Sequence, residues 1–167
     1  MPATVFDSAP VRTAIKNKIA GVANVGAVYD YERYTKEAAK LLTLYESAAQ
    51  TGNRIYGWFV SKLRERERYL DIARAIIDID WKLVAYMSLD DGDATEKKLD
   101  AQVELVRDAF RNDDALGGAV DTLIIDNGEG APPRGVQLED LDHVLFAGVL
   151  CHRARCSLTT RNYVLYQ

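Results

Sequence analysis

The amino-acid sequence predicts an α+β domain in which helices pack on a mixed or antiparallel sheet. Apolar residues recur at helical spacing in three segments, and the longer segments between them alternate apolar and polar side chains as strands do. The resulting order is α-β-α-β-β-α-β-β. No internal repeat divides the 167 residues, so we expect a single domain over residues 1–167, with a flexible N-terminus at 1–7 and an exposed loop at 127–135.

The three helices are predicted from apolar stripes and end signals. The first, "DSAPVRTAIKNKIAGV", has Pro10 in its first turn and Gly21 just past its end. The second is the short segment "TKEAAKLLTLYESA". The third, "DATEKKLDAQVELVRDAFRN", is the clearest, because Asp93 and Glu96 match a capping box. Its apolar face comprises Leu99, Val103, Val106 and Phe110.

The strands are predicted from alternation and β-branched or aromatic content. "GAVYDYERY" looks extended, and "RIYGWFVSKLRERERY" is one long strand. Residues 70–80 fit either a short helix or a strand, whereas Trp81 to Leu89 fit a strand. "AVDTLIIDN" is a further strand, "GEGAPPRG" is a loop, and "HVLFAGVLCHRARCSLTT" is expected to be one long final strand.

A basic residue stands at every second position of the stretch "SKLRERERYL". These four residues are Lys62, Arg64, Arg66 and Arg68. Because side chains alternate along a strand, the pattern predicts that all four cations share one face. Two interpretations fit such a face. It is either a charged edge strand that blocks unwanted pairing or a surface that meets a partner during assembly.

Composition limits the classes of partner. The net charge of -4 and the pI of about 5.2 argue against a general nucleic-acid-binding module. No apolar run approaches the roughly 20 residues of a membrane span, so no membrane partner is expected. The N-terminus "MPATVFDSAP" lacks the pattern of a signal peptide, and two cysteines do not make a disulfide scaffold. These features predict folding in a reducing cytoplasm.

No motif for catalysis or for a metal stands out. Cys151 and Cys156 in "CHRARC" have opposite parity on a strand, so one strand cannot offer both thiolates to one ion. His152 shares a face with Cys156, and the only other histidine is His143. The run "DDGD" is explained by a turn and a helix cap. The sequence therefore predicts no catalytic residue, metal or cofactor, and a protein that is not an enzyme.

The segment "NGEGAPPRG" lacks the Gly-Lys-Ser/Thr of a phosphate loop. A loop of this length between two strands suggests a functional contact, with a plain surface loop as the alternative. We therefore add four of its residues to the predicted assembly surface. They are Asn127, Gly128, Glu129 and Gly130.

The whole chain resembles the phage tail-terminator, or tail-completion, proteins of long-tailed bacteriophages. The likeness rests on the order of elements: "VRTAIKNKIAGV", "VGAVYDYERY", a helix, "GNRIYGWFVSKLRERERY", the tryptophan-bearing "DIDWKLVAYMSLDDGD", "KLDAQVELVRDAFRN" and the final "HVLFAGVLCHRARCSLTTR". It does not rest on a sharp motif.

The resemblance implies a structural virion protein that forms a homo-hexameric ring at the head-proximal end of the tail tube. Such a ring stops tube polymerisation and joins the tail to the head. Its expected partners are further copies of itself, the tail tube protein and a head-tail connector or stopper protein, and DNA only passes through the lumen. The expected location is the virion tail or neck, after assembly in the host cytoplasm. Alternatives are a neck connector or stopper and, from another class, a small metal- or carboxylate-dependent enzyme.

Overall fold

A computed structural model of the protein describes residues 6–33, 35–46, 55–123 and 134–166. Its helices and strands follow the predicted order α-β-α-β-β-α-β-β, which confirms the α+β fold. They are α1 (Ala9–Ala20), β1 (Ala27–Tyr29), α2 (Ala38–Tyr45), β2 (Tyr56–Tyr69), β3 (Arg74–Ser88), α3 (Thr95–Arg111), β4 (Gln137–Phe146) and β5 (Val149–Leu165). Short 3-10 turns lie at Asp91–Asp93 and Leu116–Gly118.

The five strands form one mixed sheet in the order β1-β2-β3-β5-β4. The short strand β1 runs parallel to β2, and every other neighbouring pair is antiparallel. Strands β2, β3 and β5 are long because apolar and polar residues alternate along most of their length, which suits a sheet with two different faces. The ambiguous segment 70–80 is resolved in favour of a strand, since β3 begins at Arg74.

One face of the sheet carries the main core. Helices α1 and α3 cover it, and the buried tryptophans Trp58 and Trp81 lie at its centre. The predicted apolar face of α3 is confirmed, because all four of its residues are fully buried. The opposite face has a smaller apolar cluster at one end only, where Tyr45 of α2 packs with Phe59 and Tyr86. Charged and polar side chains follow along that face, and Ile76, Tyr163 and Leu165 lie at its far end.

The two cysteines lie on opposite faces of the sheet, as predicted. Cys156 belongs to the main core and Cys151 to the smaller cluster. Burial raises the pKa of the Cys151 thiol to about 11 and that of the Cys156 thiol to about 12. Both side chains are therefore protonated at neutral pH and pack as small apolar groups.

The start of α3 differs from the prediction. Its N-cap is Ala94, which has a φ of 50° and no capping side chain, so the predicted capping box from Asp93 is wrong. The Asp90 side chain instead accepts a hydrogen bond from the Asp93 backbone N–H. The Thr95 hydroxyl accepts from the Asp90 backbone N–H at 2.9 Å. The turn thus binds to the helix through Asp90 and Thr95, and Asp93 pairs with Lys98 at 2.5 Å.

The predicted long final strand is in fact a hairpin. It reverses at Ala147 and Gly148, whose φ angles are 50° and 82°, so that β4 and β5 become neighbours. The predicted strand at 119–127 is also wrong for its described part, where only Thr122 forms a bridge, to Arg161. Residues 124–133 lie outside the described part of the chain.

The predicted flexible N-terminus is described only at its last two residues. Phe6 packs against the main core, and the Asp7 carboxylate accepts a hydrogen bond from the Ala9 backbone N–H at 2.9 Å. The extended segment "GAVYDYERY" contributes only β1, from Ala27 to Tyr29.

Candidate assembly surface and histidine cluster

A β-bulge divides the four predicted cations between the two faces of the sheet. Lys62 is opposite Trp81, but Arg64 is opposite Asp80, so Leu63 is an extra residue between them. Lys62 consequently points towards the face covered by α1, where its ammonium donates to Ser8 Oγ at 3.2 Å. The prediction that all four cations share one face is therefore wrong for Lys62 and holds for the three arginines.

Arg64 and Arg66 converge on one carboxylate of the neighbouring strand. Arg64 Nε and Nη2 lie 2.9 and 2.7 Å from Asp80 Oδ2, and Arg66 Nη2 lies 3.2 Å from Oδ1. The Thr159 hydroxyl donates to the same carboxylate at 2.9 Å. Burial acts to raise the pKa of Asp80. The hydrogen bonds from Arg64 and Thr159 and the charge of Arg66 lower it by more, so the pKa of Asp80 lies below its ordinary value of 3.8.

The same face continues as a series of arginine–aspartate pairs across β3, β5 and β4. Together with the Asp80 group we call it the ionic ladder. Its other pairs are Arg161–Asp78 at 2.6 Å, Arg155–Asp140 at 2.7 Å and Arg153–Asp142 at 2.9 Å. Each partly exposed pair contributes little to stability. The ladder does, however, neutralise most of the cations of this face with acids of the same chain.

Arg68 is the cation of β2 that the ladder leaves out. Among the described residues it has no ion-pair partner, and it is exposed. Strand β1 pairs with β2 only as far as Phe59. Within the described chain, Ser61 to Tyr69 therefore form a free edge of the sheet. Both earlier interpretations fit this edge, since charged side chains protect an edge and also meet a partner.

Exposed apolar side chains gather where the β2–β3 hairpin turns. We call this group the hairpin tip. It comprises Tyr69, Leu70, Ile72, Tyr163 and Leu165, each of which is about half exposed or more. The C-terminal end of β5 joins it, because the Tyr166 ring lies 5.9 Å from that of Tyr69. Monomeric proteins rarely expose large apolar patches, and where such patches occur they mark contact surfaces.

A second group of residues meets at the opposite end of the sheet. His143 of β4 is directly opposite His152 of β5, with ring centroids 4.9 Å apart. Ligand atoms of these two residues and of Glu96, in the first turn of α3, all lie within 4.8 Å of one another. The three line a cavity of about 390 Å³. We call them the histidine cluster.

Sequence reasoning missed the histidine cluster for a definite reason. On one continuous strand, His143 and His152 would be about 30 Å apart at ~3.3 Å per residue. The turn at Ala147 and Gly148 brings them side by side instead. A turn written Ala-Gly lacks the Asn-Gly or Asp-Gly signal of a tight hairpin, so only the glycine pointed to it.

The other predicted contact element is not positioned. Asn127, Gly128, Glu129 and Gly130 lie outside the described residues. Of the predicted loop only Arg134 and Gly135 are described, and Arg134 binds Asp114 at 2.7 Å.

Comparison of the chain with protein-family models and with curated proteins finds no match. Among the described residues, no helix has both the length and the apolar character needed to cross a membrane.

Proposed function

We propose that the protein is a structural subunit of a bacteriophage tail, a tail terminator that forms a homo-hexameric ring at the head-proximal end of the tail tube. The ring stops tube polymerisation and joins the tail to the connector or stopper protein of the head, so the protein belongs to the virion. The whole-chain resemblance in element order supports this proposal. The α+β fold with that same order is consistent with it.

The observation that carries the proposal is the hairpin tip. It extends past the core, and Ile72 at its turn is fully exposed. In a ring each subunit presents one surface to a different surface of its neighbour. An apolar tip at one end of the sheet suits such an asymmetric contact, because burying Leu70 and Ile72 against a second copy removes apolar surface from water.

A neck connector or stopper is the alternative within virion assembly, since it uses the same kind of ring. Binding to the head connector without binding to tail tubes would favour it. The histidine cluster favours a second class, a small metal-dependent enzyme. A chelator-sensitive activity in a protein that never assembles would support that class.

The test of the ring is the solution mass measured by light scattering over a range of concentrations, with and without purified tail tubes. We expect a species of about six times the chain mass of 18.6 kDa, or rings at tube ends. Leu70→Asp plus Ile72→Asp should abolish both without lowering the melting temperature, because both side chains are exposed in the monomer.

Leu145→Asp is the control, since Leu145 is also exposed, between Leu70 and Ile72 in degree, but lies beside the other hairpin turn. It should leave ring formation unchanged. A protein that stays monomeric at every concentration and also fails to bind tube ends would overturn the proposal. Equal loss of assembly in the control would remove the hairpin tip as its basis.

A further inference from the structure

The histidine cluster has the hydrogen-bond pattern of a prepared ligand set. The Thr95 hydroxyl donates to the Asp90 carbonyl at 3.2 Å, so its oxygen is left to accept hydrogen bonds. His152 Nε2 lies 3.2 Å from that oxygen, and in the tautomer with the ring proton on Nε2 it donates to Thr95. In that tautomer His152 Nδ1 is an unprotonated nitrogen, and it is buried without a hydrogen-bond partner among the described residues.

An unprotonated buried nitrogen with no partner requires an explanation, because such groups are costly to leave unsatisfied. A bound cation supplies one. Ligating histidines usually donate their other N–H to a fixed acceptor, which sets the tautomer and the ring orientation. Thr95 does this for His152, and Asp90 in turn holds Thr95.

The charges around the cavity also admit a cation. The N-terminus of α3 and the ammonium of Lys97 oppose one. Three carboxylates that line the same cavity, those of Asp90, Asp91 and Glu96, outweigh them.

We propose that Glu96, His143 and His152 bind a divalent first-row transition metal ion, with Zn²⁺ as the natural probe. Imidazole and carboxylate ligands suit such ions. Ligand atoms around a tetrahedral ion with bonds near 2.1 Å lie about 3.4 Å apart. Since Glu96 and His143 are exposed, their side chains can close onto the fixed ring of His152. Three protein ligands leave one position for water from the cavity.

This site is independent of the ring contact. His152 and the end of β5 at Leu165 are 13 residues apart on one strand, or roughly 40 Å at ~3.3 Å per residue. The cluster therefore lies far from the hairpin tip. A failure of metal binding says nothing about assembly, and the reverse also holds. The site departs from the sequence prediction of no metal ligand.

The test is calorimetric titration of Zn²⁺ into chelator-treated protein whose affinity tag has been removed. We expect one ion per chain and a higher melting temperature with zinc. His143→Gln and Glu96→Gln should each weaken binding by about 10-fold or more, since each removes one of three ligands. Asp100→Asn, an exposed carboxylate one turn further along α3, is the matched control and should bind like the unaltered protein.

Co²⁺ provides a second readout that does not depend on stability. The unaltered protein with Co²⁺ should show visible d–d absorption bands, and His143→Gln should lose them. Both substitutions are at exposed positions, so the variants should fold. The proposal is overturned if the protein binds no zinc, or if zinc affinity is the same in His143→Gln, Glu96→Gln and the control.

Discussion

At the scale of single residues, the two tryptophans of the core differ in the hydrogen bonding of their indole N–H groups. Both Trp58 and Trp81 are fully buried on the same face of the sheet. Trp81 Nε1 donates to the buried hydroxyl of Thr160 at 2.9 Å. Trp58 Nε1 has no hydrogen-bond partner among the described residues. Equal burial therefore comes with unequal polar satisfaction, and the two sites should respond differently to the same substitution.

Replacing each tryptophan by phenylalanine isolates this difference. Both changes remove a similar volume, but Trp81→Phe also leaves the Thr160 hydroxyl without its donor. We expect Trp81→Phe to lower the free energy of unfolding by about 1–3 kcal/mol more than Trp58→Phe. Urea unfolding measures both. Adding Thr160→Val should recover part of the loss in Trp81→Phe, whereas in Trp58→Phe it should lower stability further, because it leaves the buried Trp81 N–H without its acceptor. Equal costs for the two single variants would contradict the argument.

At the scale of elements, the sequence predicts a helix or strand well where its apolar pattern continues over many residues. It predicts poorly a bulge or turn that depends on one or two residues. The helix α3 and the strand β2 follow from their stripes. The bulge at Leu63 follows from no residue type, yet it moves Lys62 to the other face. The turn at Ala147 was missed because alanine rarely adopts positive φ. Both features affect candidate sites. The bulge divides the predicted cationic face, and the turn brings the two histidines of the histidine cluster together.

The β4–β5 turn makes a prediction about this element. Ala147 and Gly148 both have positive φ, as a type I′ turn requires, and an alanine there is strained by about 1 kcal/mol. Ala147→Asn creates the favoured Asn-Gly pair and should raise the free energy of unfolding by about 0.5–1 kcal/mol.

Gly148→Ala is the companion variant for this turn. Its new Cβ meets no atom within 4 Å, so any loss of stability comes from φ alone. Thermal and urea unfolding of the two variants should move in opposite directions. A destabilised Ala147→Asn would indicate that the turn has another geometry.

At the scale of the whole molecule, the two faces and the two ends of the sheet differ in their side chains. One face holds the core against α1 and α3, and the other carries the ionic ladder. The free edge of β2 and the hairpin tip lie at one end, with the histidine cluster at the other. Acids of the same chain neutralise the arginines of the ladder, so the cations of this face without an ion-pair partner among the described residues are Arg68 and Lys82.

Two matched substitutions separate the ladder from a partner surface. Arg64→Gln removes a partner of Asp80, whose carboxyl side chain is 14% exposed. Because folding lowers the pKa of Asp80, the ionised carboxylate stabilises the folded state at pH values above 3.8, the pKa in the unfolded chain. This contribution is lost as the pH falls through the pKa of the folded state. Arg64→Gln should therefore cost up to about 1 kcal/mol at pH 7. The difference from the unaltered protein should shrink below about pH 4.

Arg68→Gln serves as the other half of the pair. It breaks no ion pair among the described residues, so its free energy of unfolding should stay within about 0.5 kcal/mol at every pH. If β2 meets an acidic partner surface during assembly, Arg68→Gln should slow ring formation or tube-end binding at low salt. The effect should fade as salt screens the charge. Normal assembly by Arg68→Gln at low salt would leave the arginines of β2 as the protected edge of a sheet, since an edge charge works by excluding strands and needs no acidic partner.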